Sequence, residues 1–295
     1  MAEPRFALDR RAVRRSFDRA ASAYDAAARL QAKVRAQLLE RLDYVSLEPE
    51  VVVDLGCGTG HSSRALKDRF PKARVIAIDL AEGMLREARR RRSWLRRFDR
   101  VCADARRLPL AGGSVDLLFS NLMLQWCPEL DEAFAEFRRV LRPRGLVNFT
   151  TFGPDTLSEL REAWAAADGG VHVNAFADMH DLGEGLMRAG LAEPVLDVER
   201  VQVGFPDALA LMRELKAIGA HNANAARARG LTGRRRFAAM QAAYERRRRD
   251  GLLPATYEVV FGQAWGPAAQ APVRGRRRGE FTFDVGAIGR RTAGS

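Results

Sequence analysis

A glycine-rich segment preceded by an acidic residue is the clearest chemical signal in the sequence. It follows the apolar residues 51–53 directly and reads Asp54-Leu55-Gly56-Cys57-Gly58-Thr59-Gly60. Glycines at alternate positions allow a sharp turn and let a ligand approach the backbone, because no Cβ lies in the way. The N–H groups at the start of the following helix are free to donate to that ligand. The G-x-G-x-G spacing differs from the G-x-G-x-x-G spacing of dinucleotide sites.

Two further aspartates lie where the next two predicted strands end. Asp79 follows the apolar residues 75–78, and Asp104 ends a short strand predicted over 101–104. A carboxylate at the first position can accept hydrogen bonds from both hydroxyls of a ribose, and one at the second from the amine of an adenine. Because ligands of open α/β sheets bind outside the carboxyl ends of the strands, the three acids predict a crevice for an adenosine-containing ligand.

Strands and helices alternate along most of the chain and so position these residues. Short apolar runs predict strands over 51–55, 75–79, 101–104, 115–120 and 146–151, and later over 195–205 and 256–265. Helical spacing lies between them, over 61–70, 83–97, 130–141, 155–167, 179–189, 206–218 and 233–250. This order is typical of βαβ units, so we predict an α/β fold with a parallel sheet.

The bulk composition limits the classes of function. The 295 residues are 47% apolar and 29% charged, as in an ordinary globular protein. No apolar run reaches the ~18 residues of a membrane span, and the N-terminus lacks the features of a secretory signal or a transit peptide. The three cysteines show no CxxC spacing, which excludes a disulfide framework and a cysteine zinc site. We therefore expect a cytoplasmic protein with no membrane partner and no metal.

The formal net charge of +12 is the one unusual bulk property. A field of this sign attracts nucleic acids, anionic membranes and acidic proteins. The net charge alone therefore does not indicate which of them is the partner. Solvated helix faces account for arginine runs such as 89–92 and 246–249. Aromatic residues do not interleave with these runs as they do in a stacking platform for single strands, so nucleic acid is not the expected partner.

The glycine segment and the strand-end acids together resemble the class I S-adenosylmethionine-dependent methyltransferases. The resemblance implies a Rossmann-like, mostly parallel seven-stranded sheet with helices on both faces, an N-terminal helical lid and a helical insertion after strand five. It also implies S-adenosyl-L-methionine as the cofactor and S-adenosyl-L-homocysteine as its product. The cofactor residues would then be Asp54, Gly56, Cys57, Gly58 and Gly60 at the methionine part, Asp79 at the ribose with Leu80 and Met84 nearby, Asp104 and Ala105 at the adenine, and Asn121 and Leu122 at the sulfonium.

Further segments between about residues 16 and 267 are similar to one subfamily, the BioC family of malonyl-acyl-carrier-protein O-methyltransferases of biotin synthesis. They are Phe17-Asp18-Arg19-Ala20-Ala21, Phe152-Gly153-Pro154-Asp155-Thr156-Leu157, His172-Val173-Asn174-Ala175-Phe176, Leu231-Thr232-Gly233-Arg234-Arg235-Arg236 and Pro254-Ala255-Thr256-Tyr257-Glu258-Val259. The resemblance implies a lid over 1–45, a methyltransferase domain over 46–266 with insertions near 153–177 and 206–250, and a basic tail over 267–295. It implies methylation of the free carboxylate of a malonyl thioester, carried by acyl carrier protein or by coenzyme A.

Such a reaction makes few chemical demands on the protein. A carboxylate with a pKa near ~4 is already ionised at neutral pH, so no general base is needed. The protein must supply alignment and a dry pocket, and an arginine would be a suitable partner for a desolvated carboxylate. The candidate for that partner is Arg161, whose alternative role is an ion pair with Glu159 or Glu162. Candidates for alignment are Tyr24, Gln125, Trp126 and His172, each of which could instead be a packing residue.

Three other functions remain open from the sequence. The chain also resembles the mitochondrial complex I assembly factors that hydroxylate an arginine, although it lacks a transit peptide. An RNA methyltransferase would suit the basic charge, but Asn121-Leu122-Met123-Leu124 replaces the N/D-P-P-Y/F signature of base amino methylation. A regulator that binds the cofactor without catalysis is the third. If the partner is an acidic carrier protein, Arg234, Arg235 and Arg236 are predicted to contribute to a basic docking rim.

Overall fold

A seven-stranded sheet forms the centre of the computed structural model, which describes residues 8–91, 96–220, 222–224, 230 and 232–268. The strands are β1 (Val51–Leu55), β2 (Arg74–Asp79), β3 (Asp99–Cys102), β4 (Val115–Asn121), β5 (Leu141–Phe152), β6 (Ala192–Phe205) and β7 (Leu253–Trp265). Their order is β3-β2-β1-β4-β5-β7-β6. Strands β1 to β5 pair in parallel, and β7 runs antiparallel to both of its neighbours, β5 and β6. The predicted mostly parallel seven-stranded sheet is confirmed.

Helices cover both faces of the sheet, because alternate residues of each buried strand point to opposite sides. In β1, Val52 belongs to one apolar layer and Val53 to the other. The helices are α1 (Arg10–Ala20), α2 (Tyr24–Ala27), α3 (Arg29–Glu40), α4 (His61–Arg69), α5 (Glu82–Arg91), α6 (Leu130–Val140), α7 (Ser158–Ala165), α8 (Met179–Arg188), α9 (Ala208–Ala217) and α10 (Arg234–Glu245). Within the described ranges, every helix is too short or too polar to span a bilayer.

The N-terminal helices are fixed to the carboxyl edge of the sheet by side chains at specific positions. Asp9 caps α1 by accepting a hydrogen bond from the backbone N of Ala12 at 3.0 Å. Asp18, near the other end of α1, accepts from the backbone N of Gly83 at 2.7 Å and so ties α1 to α5. The apolar face of α3 contributes Val34 and Leu38, both fully buried, to the core. Helix α1 therefore lies directly over the start of α5.

Several element bounds differ from the expectation for physical reasons. Strand β3 ends at Cys102, and Asp104 lies in the turn after it, because its Oδ1 accepts from the backbone N of Arg106 at 3.0 Å. Helix α7 starts at Ser158 because Leu157 has a φ of 55°, outside the helical region. Strand β6 extends back to Ala192 by pairing with Trp265. Most of the predicted basic tail, residues 269–295, lies outside the described residues.

Candidate active site

A cavity of about 820 Å³ opens at the carboxyl edge of β1, β2 and β4. Its place, at the carboxyl ends of parallel strands, is where open α/β sheets bind ligands. The structure brings most of the predicted cofactor residues to its lining, namely Gly56, Gly58, Asp79, Leu80, Met84, Asp104, Ala105, Asn121 and Leu122. We refer to it below as the first cavity.

The glycine segment forms one wall of the first cavity through its backbone. Gly56 has a φ of 72°, and a Cβ at this position would overlap the side chain of Met123. The backbone N atoms of Gly56 and Cys57 both donate to the carbonyl oxygen of Ile78, at 2.8 and 3.0 Å. These bonds hold the segment against the end of β2. Cys57 is buried behind the loop, and Gly60 adopts a φ of 83° where α4 begins.

Asp79 connects the glycine segment to the cavity. Its Oδ2 accepts from the backbone N of Gly58 at 2.9 Å, and its Oδ1 accepts from the backbone N of Ala81 at 2.8 Å. Burial raises the pKa of Asp79 to about 6, although these two bonds oppose the shift. The carboxylate is half-buried and still lines the cavity, so its remaining lone pairs can accept hydrogen bonds from a ligand's hydroxyls.

Asp54 lies below the loop and does not line the first cavity. Ser63 Oγ donates to Oδ2 of Asp54, while Oδ1 is buried without a hydrogen-bond partner among the described residues. Burial raises the pKa of Asp54 to about 7. A buried, unpaired acceptor directly under a glycine loop is the feature expected where a cationic amino group is to be held nearby.

Asp104 carries more charge partners than the sequence suggested. It forms ion pairs with Arg10 of α1 and with Arg106, whose Nε lies 3.3 Å from Oδ1. Arg106 also pairs with Glu129 on the far side. The Asp104 carboxylate therefore anchors α1 across the mouth of the first cavity, in addition to facing the cavity itself.

Aromatic side chains from α1 and α2 cover the first cavity. Phe17 packs edge-on against Trp126, with ring centroids 5.2 Å apart. Tyr24 also lines the cavity, and burial together with the nearby Asp79 raises the pKa of its phenol far above the usual range. Leu122, which lines the opposite wall, has a φ of 50°, a strained backbone of the kind that clusters at ligand sites. The N-terminal helices thus close this cavity as the predicted lid would.

A second cavity, of about 580 Å³, lies beside the first, and Trp126 lines both. Its walls come from α3, the turn after β4, the end of β5, α7, the segment 172–176, α9 and β7. The sequence singled out only Gln125, Trp126 and His172 among its lining residues. The others are Gln31, Phe152, Thr156, Leu157, Leu160, Val173, Asn174, Phe176, Leu215, Ile218, Ala220, Asn222 and Tyr257. None of these lining residues is an acid, a lysine or an arginine.

The polar groups of the second cavity are held in place by neighbours. The His172 ring stacks on Trp164, with centroids 3.7 Å apart, and its Nε2 lies 2.8 Å from Oδ1 of Asp168. Asn174 is buried, and its Oδ1 has no partner among the described residues. Gln125 Nε2 donates to the carbonyl of Leu122 at 2.6 Å, which fixes the turn between the two cavities.

Comparison with known proteins identifies the family. The methyltransferase domain family matches residues 53–149. A malonyl-acyl-carrier-protein O-methyltransferase from Methylovorus sp. is 54% identical over 271 residues, covering 90% of this chain and 92% of its own. One from Laribacter hongkongensis is 52% identical, with 90% and 92% coverage. The chain belongs to the malonyl-acyl-carrier-protein O-methyltransferase family. The hydroxylase, RNA methyltransferase and regulator alternatives are not favoured.

Solved structures related to this family member share the fold. The YcgJ protein from Bacillus subtilis is 15% identical with a TM-score of 0.57, covering 79% of this chain and 99% of its own. The [4+2]-cyclase SpnF is 23% identical with a TM-score of 0.51, covering 80% and 81%. Because one of these relatives is a cyclase, the fold alone does not decide the reaction.

One residue proposed for the substrate of this methyltransferase, Arg161, lies outside both cavities. Arg161 donates from its guanidinium to the carbonyl of Pro154 at 3.0 Å and to that of Thr156 at 2.7 Å. It does not pair with Glu159, which accepts from Thr256, or with Glu162, which pairs with Arg247. Arg161 therefore holds the turn before α7.

Within the described residues, no three histidine, cysteine or acidic side chains are grouped to hold a metal ion.

Proposed function

We propose that this protein methylates the free carboxylate of a malonyl thioester on acyl carrier protein, using S-adenosylmethionine. The observation that carries the proposal is the pair of cavities that meet at Trp126, one with acids at strand ends and one with a neutral lining. In the reaction the methyl carbon leaves sulfur and bonds to a carboxylate oxygen. The sulfur keeps the electron pair, so both products are neutral at the reacting atoms.

The first cavity fits the cofactor. When bound, S-adenosylmethionine supplies an electrophilic methyl group on a sulfonium cation, whose charge also attracts the carboxylate. The Asp79 carboxylate accepts from the ribose hydroxyls, and the unpaired Oδ1 of Asp54 stabilises the positive end of the methionine part through the glycine loop. Asp104 and Ala105 flank the adenine, and Asn121 and Leu122 lie towards the second cavity.

The second cavity fits the acyl group. Its apolar side chains, such as Phe152, Leu160 and Phe176, exclude water from the carboxylate, which makes the anion more reactive. The backbone carbonyl of Gln31 accepts a hydrogen bond from Asn121 Nδ2 at 3.2 Å, so Gln31 lies close to the junction of the two cavities. Its side-chain amide can donate to the carboxylate oxygen that does not react. His172 and Asn174 lie along the cavity wall, where they contact the thioester.

Among the described residues that line the second cavity none is an arginine, and this suits the direction of the reaction. A guanidinium would bind the carboxylate tightly but would lose that charge pairing once the ester forms, and it would compete with the sulfonium for the anion. Neutral amide donors bind both the acid and its ester.

A cytoplasmic location is part of the proposal and is supported by the three free cysteines.

Transfer of labelled methyl groups tests the function. The protein is incubated with S-adenosylmethionine labelled on the methyl carbon and with malonyl-carrier protein, and the product is treated with mild base. We expect label on the carrier protein that base releases as methanol, since the product is an ester. Acetyl-carrier protein, which has no free carboxylate, is the control and should stay unlabelled. Equal labelling of both carriers, or label that resists base, would overturn the proposal.

A further inference from the structure

Helix α1 has a second face that lines a basic groove. The face that covers the first cavity carries Arg10, Val13 and Phe17. Residues on the other face, at the three- and four-residue steps of a helix, line a solvent-open groove of about 1170 Å³. They are Ala12, Arg15, Ser16, Arg19 and Ala20, and across the groove from them lie Lys216, Ala217, Asn222 and Ala223. We call this the basic groove.

The cations of the basic groove lack the acidic partners that their neighbours have. Arg10 pairs with Asp104, and Arg14 lies 3.7 Å from Asp18. In the described part of the chain, by contrast, Arg15, Arg19 and Lys216 form no ion pair, and all three are exposed. Arg19 uses only its Nε, which donates to the carbonyl of Arg15 at 3.1 Å. Three uncompensated cations that face one groove are a site for an anion.

The basic groove adjoins the second cavity through one shared wall. Asn222 lines both, and its side chain donates to the carbonyl of Val171, next to His172. Gly219 lets this wall come close to α1: its φ is 75°, and a Cβ there would lie 3.2 Å from atoms of both Phe17 and Ala20. An elongated substrate can therefore place an anion in the groove and an acyl group in the second cavity.

We propose that Arg15, Arg19 and Lys216 bind the phosphate of the phosphopantetheine arm that carries the malonyl thioester. The inference rests on the proposed function and adds a subsite to it. The arm has the thioester at one end and the phosphate at the other, which matches the neutral second cavity and the charged groove. Guanidinium groups present donors in a fork that fits two phosphate oxygens, and a lysine adds a point charge.

Two substrates that differ only in the phosphate test the subsite. We expect the KM for malonyl-phosphopantetheine to be about tenfold lower than that for malonyl-pantetheine in the unmodified protein. The double variant R15Q/R19Q should raise the first KM by about tenfold and leave the second KM and both kcat values unchanged. The control R246Q/R249Q removes the same charge from exposed arginines just after α10. It should change neither KM.

The outcomes separate this subsite from the proposed function. If the unmodified protein methylates both compounds with equal KM, the subsite is wrong and the function stands. If it methylates no malonyl thioester, the function fails. Malonyl-coenzyme A and malonyl-carrier protein complete the series, and R15Q/R19Q should weaken both, because both contain a phosphate on the arm. A loss confined to the carrier protein, or an equal loss in R246Q/R249Q, would contradict a phosphate site.

Discussion

The two cavities differ in how the chain builds them. Beneath its helical cover, the first is formed by strand ends and the turns directly after them, so most of its residues fall in short clusters such as 55–58, 79–80 and 103–106. The second takes its residues from helices, turns and insertions as distant in sequence as Gln31 and Tyr257. A cavity of the first kind is specified by local backbone geometry. A cavity of the second kind forms only after the insertions have packed against the sheet. Its side chains can therefore be selected to fit one acyl group.

The two cavities also differ in the charges that line them. Asp79 and Asp104 face the first cavity, where Arg10 and Arg106 pair with Asp104, and Asp54 lies under its loop. A ligand with hydroxyl and amine donors therefore meets charged side chains there. The residues that line the second cavity carry no formal charge apart from what His172 can acquire. In the proposed arrangement, fixed charges bind the methyl donor, whereas the acceptor meets amide donors and apolar surface. Changes in one cavity should therefore leave binding in the other intact.

Gly56→Ala should disrupt the first cavity and should have the largest effect of the substitutions proposed here. The new Cβ would overlap Met123 and force a side chain into a positive φ. The overlap costs ~1–3 kcal/mol and the strain ~1–2 kcal/mol, and the loop relieves part of this by leaving the geometry that binds the ligand. We therefore expect about a hundredfold rise in the Kd for S-adenosylmethionine, measured by calorimetry. Gly113→Ala is the matched control, because Gly113 has a φ of 61°, lies outside the first cavity, and would have no atom within 4 Å of a Cβ. Equal losses in the two variants would mean that backbone strain acts on the whole fold rather than on the cavity.

His172→Gln should affect only the second cavity. Loss of the ring that stacks on Trp164 and pairs with Asp168 should raise the KM for the malonyl thioester by about tenfold, the cost of ~1.4 kcal/mol in binding. The Kd for S-adenosylmethionine should not change. His180→Gln, at an exposed position at the start of α8, is the control and should match the unmodified protein. A weaker cofactor affinity in His172→Gln would show that the two cavities are coupled.

Acid should weaken cofactor binding through Asp79. Burial raises the pKa of this carboxyl to about 6, above its ordinary value of 3.8, so the folded protein takes up a proton there as the pH falls through 6. The protonated carboxyl loses acceptor capacity and charge, so affinity should fall towards tenfold per pH unit below 6 and level off above 7. Titrations between pH 5 and 8 measure this. Asp79→Asn should bind more weakly throughout and lose the dependence, and a slope that persists in this variant would assign the effect to another group.

Neutralising Arg234, Arg235 and Arg236 should have the smallest effect. This change tests whether basic residues near the second cavity attract the acidic carrier protein. All three are exposed at the start of α10, and Arg236 Nη1 lies 3.9 Å from Asp168, beside the second cavity. The triple glutamine variant should raise the KM for malonyl-carrier protein by roughly two- to fivefold at low salt and less at high salt. A small malonyl thioester should be unaffected. If both substrates suffer equally, the cluster shapes the cavity rather than steering the carrier.

The sequence predicted the sheet and most of the first cavity because both depend on local patterns. Apolar runs of strand length and the G-x-G-x-G turn fix positions within a few residues, so Asp79 and Asn121 could be placed at one edge. Arg161 could not be placed, because no sequence pattern shows that its guanidinium turns back to the carbonyls of Pro154 and Thr156. The ion pair of Arg10 with Asp104, 94 residues apart by their numbers, depends on tertiary packing.

A crystal structure with S-adenosylhomocysteine and malonyl-phosphopantetheine tests the division between the two cavities most directly. We predict the adenosine beside Asp79 and Asp104, with the homocysteine sulfur facing Trp126. The malonyl carboxylate should lie in the second cavity, within hydrogen-bond reach of Gln31 and in line with the sulfur. A malonyl group bound outside the second cavity, or a carboxylate held by Arg161 away from the sulfur, would contradict the account.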